Sequence, residues 1–70
     1  MIKNIRGTHE RSNEIEKLGK QGTTTLSEVA AVWECSTENI VGYLHRLQER
    51  KKYAYLIDGR GRFRIFKDFE

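Results

Sequence analysis

Arg60, Arg62 and Arg64 recur at alternate positions beside Gly59 and Gly61. Guanidinium groups on a glycine-flexible loop suit an anionic backbone. Glycine lets the loop follow the phosphate contour, and arginine neutralises it or enters a narrow minor groove. A second set lies upstream at helical spacing. Asn39 carries the donor and acceptor that bind adenine bidentately, Arg46 suits guanine or a phosphate, and Val41 can touch a thymine methyl. On a helical wheel Glu38, Gly42, His45 and Glu49 form the centre of this outward face. Phosphate would repel Glu38, which fits such a face only as an acceptor for a cytosine amino group. Gly42 costs the helix about 1 kcal/mol relative to alanine, and in return lets another surface approach the backbone closely. Thr37 and Arg50 complete the candidate contacts at the two ends of the helix.

The charge distribution agrees with that chemistry. The chain has 13 Lys+Arg and 10 Asp+Glu, a formal net charge of +3 and a pI near 9.2. Residues 1 to 34 hold five basic and five acidic side chains, for a net of zero. Residues 45 to 67 hold Arg46, Arg50, Lys51, Lys52, Arg60, Arg62, Arg64 and Lys67 against Glu49 and Asp58, so eight minus two leaves +6. A polyanion would therefore be met by the C-terminal half.

Other chemistries find little to work with. Cys35 is the only cysteine, so no disulfide framework forms, and His9 and His45 are too far apart in sequence to suggest a metal cluster. Neither a metal nor a cofactor is expected. There is no glycine-rich phosphate loop, no paired carboxylates in an apolar setting and no nucleophile–base pair, so an enzyme is not expected. Cys35 reads as a small buried hydrophobe. Residues 1 to 7 hold no apolar run long enough for a signal peptide or a membrane span. With a single thiol the chain suits a reducing compartment, the cytoplasm or nucleoid.

Seventy residues make one domain, 1–70, with a small core. A first helix is expected from about His9 to Lys20, with Thr8 as N-cap and Gly19 and Gly22 ending it. Ile15 and Leu18 supply its apolar face. Residues 1 to 7 either fray or dock Ile2 and Ile5 on the core or on a second subunit. Thr23, Thr24 and Thr25 suit a very short strand. Thr25-Leu-Ser-Glu28 is a capping box opening a helix from Leu26 to Trp33, with Leu26, Val29, Ala30 and Trp33 on one stripe. The indole nitrogen of Trp33 needs a partner. After a tight turn at Glu34, Cys35 and Ser36, a second amphipathic helix runs from about Thr37 to Lys51. Its inward stripe is Ile40, Tyr43, Leu44 and Leu47. Tyr53 to Ile57 and Arg62 to Phe66 read as two strands joined by Asp58-Gly-Arg-Gly61, with Phe63 and Ile65 on the inner face.

Helix, turn, helix and basic hairpin follow in the order of an α+β winged helix-turn-helix: three helices and a C-terminal two-stranded wing. Thr25 to Leu47 resembles the helix-turn-helix of small prokaryotic winged-helix transcription regulators. Its capped helix, its small apolar residue and serine in the turn, and its Ile40, Leu44 and Leu47 spacing carry the likeness. Arg60, Arg62 and Arg64 fall where that family carries its wing. The resemblance covers about three-fifths of the chain. Glu34 departs from the usual glycine, and the outward helix face has fewer basic and hydroxyl groups than is usual. The resemblance implies double-stranded DNA as partner, with a homodimer left open and no membrane association. The competing expectation is a winged helix used for protein contact, without nucleic acid.

Overall fold

The computed structural model describes residues 2–66; Lys67, the last member of the basic run, lies outside them. Helices α1 (Thr8–Gln21), α2 (Leu26–Trp33) and α3 (Thr37–Lys51) precede strands β1 (Ala54–Ile57) and β2 (Phe63–Phe66). The strands pair antiparallel, with Ala54 opposite Phe66, Tyr55 opposite Ile65, Leu56 opposite Arg64 and Ile57 opposite Phe63. This α+β layout is that of a winged helix. The expected short strand before α2 reduces to a single bridge, Thr25 to Arg62. β1 also starts one residue later than expected, at Ala54.

α1 differs from expectation at its N-cap and in the role of Gly19. Gly7, not Thr8, is its N-cap, and no side chain caps it. The Arg11 amide donates to the Gly7 carbonyl at 2.8 Å, which puts Thr8 inside the first turn. Gly22 ends the helix in a left-handed conformation, φ 71°, and its amide donates to the Leu18 carbonyl. Gly19 does not end the helix. It is buried within it, where a Cβ would lie 2.6 Å from Cδ1 of Ile65. Glycine is there so that β2 can close on the helix.

α2 begins with the capping box as expected. The Thr25 hydroxyl accepts from the Glu28 amide at 3.1 Å, and the Glu28 carboxylate accepts from the Thr25 amide at 2.8 Å. The Thr25 amide, and after it the Thr25 hydroxyl donating to the carboxylate at 3.1 Å, hold the Glu28 carboxyl below its ordinary value. Glu34 takes the left-handed conformation of the turn, φ 55°, at a cost of about 1 kcal/mol for a residue with a Cβ. Ser36 caps α3 by accepting from the Asn39 amide.

The core joins the three helices and β2, with half-buried Tyr55 of β1 packed against it. Ile15, Leu18, Val29, Trp33, Ile40, Leu44, Leu47, Phe63 and Ile65 are buried together. Each such side chain contributes roughly 1.5–3 kcal/mol by leaving water. Tyr43 is only half-buried, its ring edge-on to Trp33 at 6.0 Å. Residues 2 to 5 do not fray. Ile2 packs against the core, the Trp33 indole N–H donates to the Lys3 carbonyl, and Arg11 Nε donates to the Ile5 carbonyl. The Arg11 guanidinium also lies 4.9 Å from the Trp33 ring centroid, a cation–π distance. The partner that Trp33 required is thus the chain's own N-terminal segment.

Candidate nucleic-acid interface

Two sets of bonds fix the hairpin relative to the helices. At its root, Glu16 on α1 gathers Lys51 at 2.9 Å, Tyr53 at 2.9 Å and Lys20 at 3.3 Å. Partial burial pulls the Glu16 carboxyl upward, but hydrogen bonds from Lys51, Tyr53 and Lys20 outweigh it and hold it below its ordinary value of 4.5. The bond to Glu16 in turn raises Lys20. Beside the loop, the Leu26 amide donates to the Gly61 carbonyl at 2.8 Å and the Phe63 amide to the Thr24 carbonyl at 3.3 Å. The start of α2 and the returning strand therefore move together.

The loop is built on Asp58. Its carboxylate accepts the backbone amides of Arg60 at 2.8 Å and Arg62 at 2.9 Å. The Gly61 amide closes a turn onto the Asp58 carbonyl at 3.0 Å. Gly61 sits at φ 87°, which only glycine adopts cheaply. A loop ending in a left-handed glycine matches the right-handed twist of a hairpin. The Arg62 amide, then the other amides and the Arg62 charge, hold the Asp58 carboxyl below its ordinary value despite some opposing desolvation.

Arg60 is exposed at the tip. Arg62 is half-buried, and its Nε lies 3.4 Å from Asp58 Oδ2. Arg60 and Arg62 are therefore not equivalent, since Arg62 is engaged in holding the loop. Arg64 is exposed on the outer face of β2, opposite Leu56, and its stem lies against Gly22 at the end of α1. It is set back from the tip.

On α3, Thr37, Glu38, Asn39, Gly42, His45, Arg46 and Arg50 are exposed and Val41 is half-buried. Nothing lies within 4 Å of a Cβ built at Gly42. The surrounding elements divide this face into a ridge and two flanks. His45 leans edge-on against Tyr55 of β1 with ring centroids 5.9 Å apart, so its side of the helix faces the hairpin. On the other side Glu38, Asn39, Gly42, Tyr43 and Arg46 form an open cleft of about 270 Å³ with Thr8 of α1.

Several contributors leave no signal in the sequence. The Glu16 cluster joins residues 35 and 37 positions apart, and no periodicity marks it. Lys51, one of the basic run, is in that cluster. Lys52 is left-handed at φ 60° and exposed. Leu56 is 61% exposed, with Ile57 and Phe66 also exposed on the hairpin. The alternation along β1 does place Leu56 outward. Among the described residues no group of side chains could hold a metal ion, and no helix is long and apolar enough to cross a membrane. No family model matches the chain, and comparisons with curated proteins and with solved structures find no match.

Proposed function

We propose that this chain is a small winged-helix regulator of the prokaryotic kind that binds double-stranded DNA. In this reading α3 enters the major groove, and the hairpin tip meets the adjacent backbone or minor groove. The observation that carries it is a set of cations without acidic partners. Arg46, Arg50, Lys52, Arg60 and Arg64 make no ion pair among the described residues, whereas Lys51 and Arg62 do. Unpaired cations on a folded surface repel one another and are relieved by a polyanion. Asn39 supports base reading, because its exposed amide makes no side-chain hydrogen bond among the described residues. The protein acts by binding rather than catalysis, in the reducing compartment that suits its single thiol. Two copies on adjacent half-sites would multiply affinity.

A second reading, protein contact, draws on two observations. Leu56, Ile57 and Phe66 expose apolar surface on the hairpin. The outward face of α3 also carries Glu38 and Glu49, which a phosphate backbone repels. A gel shift of a random duplex at rising salt separates the two readings. Retardation that fades with salt supports DNA binding, and no retardation even at low salt favours protein contact.

A further inference from the structure

α1 and α3 enclose a second, smaller cleft of about 100 Å³, floored by Leu47. Its walls are His9, Ser12 and Asn13 on α1 and Arg46, Arg50 and Lys51 on α3. No carboxylate lines it. Lys51 is bonded to Glu16, so the cations left over are Arg46 and Arg50. They sit one helical turn apart on the same face, a like-charged spacing that destabilises a helix. Opposite them stand an imidazole, a hydroxyl and an amide, none of which makes a side-chain hydrogen bond among the described residues. Two fork-shaped guanidinium groups facing neutral donors in a concave site suit a tetrahedral oxyanion.

From this arrangement we infer that the α1–α3 cleft holds a backbone phosphate of the duplex. The inference rests on the DNA-binding reading and adds a second grip to it. The hairpin lies on the His45 flank of α3, and the cleft lies on the Arg46 flank. A helix seated in a major groove runs between two phosphate backbones, so grips on opposite flanks hold one backbone each. Arg46 then serves the backbone rather than a guanine edge. It lines both this cleft and the larger one beside Thr8.

The test has two arms. The unaltered chain and an Arg46→Gln/Arg50→Gln variant are titrated with a random duplex over a salt series. The unaltered chain is also titrated with inorganic phosphate while the backbone amides of His9, Ser12 and Asn13 are followed by NMR. The inference predicts a shallower salt slope in the variant, by about one unit for each phosphate no longer neutralised. It also predicts that duplex and phosphate both shift the α1 amides. Duplex binding with an unchanged slope in the variant overturns the inference and leaves the DNA reading standing. If no duplex binds, the DNA reading falls and the backbone assignment with it, and the phosphate arm then shows whether the cleft takes anions at all.

Discussion

Asp58 and Arg62 hold each other three times: the carboxylate accepts the Arg62 amide at 2.9 Å and faces its guanidinium at 3.4 Å, and the Asp58 amide donates to the Arg62 carbonyl at 2.9 Å. The wing tip is therefore set by one acid. Asp58→Ala is expected to lower the thermal midpoint and to increase amide exchange across Gly59 to Arg62, because the Arg60 and Arg62 amides are left without their acceptor. Equal exchange rates in the variant and the parent would contradict this role.

The same relationship divides the labour of the wing arginines. Arg60→Ala should leave the thermal midpoint unchanged and reduce the salt slope of duplex binding by about one unit. Arg62→Ala should lower the midpoint and change the slope less, since that guanidinium already has a partner. Melting curves and salt series on both variants check the division. Interchanged effects would assign the phosphate contact to Arg62.

Two glycines should respond in opposite directions to alanine. At Gly19 the new methyl meets Ile65, with Cγ1 and Cδ1 at 2.6 Å and Cβ at 3.1 Å, so more than a side-chain tip must move. Overpacking of this kind costs about 1–3 kcal/mol. At Gly42 nothing lies within 4 Å, so Gly42→Ala should gain up to about 1 kcal/mol from helix propensity. Denaturant melts would reveal either sign.

The depressed carboxylates predict an acid limb. A group whose folded pKa is lowered contributes stability that is fully present above its unfolded value and is lost as pH falls through the folded value. Glu16 and Glu28 have an ordinary value of 4.5, and both are lowered in the folded chain. Asp58, ordinarily at 3.8, behaves alike. The thermal midpoint should hold near neutrality and drop once pH falls below about 4.5. Glu16→Gln should start lower and drop less. A parent midpoint unchanged down to about pH 3 would contradict the Glu16 cluster.

What the sequence makes legible is whatever local chemistry decides. The Thr25–Glu28 box, the span of α2, the left-handed turn at Glu34 and the Phe63–Ile65 inner face each follow from residues within a few positions of one another. The start of α1 escapes because Thr8 has the side chain of a cap, whereas Gly7 takes the cap position with backbone bonds alone. Gly19 looks like a terminator because its reason for being glycine, Ile65, lies far along the chain. The roles of the site residues are harder still. Arg62 and Lys51 look equivalent to their basic neighbours until Asp58 and Glu16 are placed beside them, and pairing with a distant Glu16 leaves no mark in spacing.

The most direct test of the central claim is the affinity for a random duplex across a salt series. Counterion release changes the log–log slope by about −0.9 for each phosphate neutralised. A clearly negative slope that becomes shallower when Arg60 is removed is the predicted result. No duplex affinity at low salt, or an affinity flat across the series, would contradict the claim.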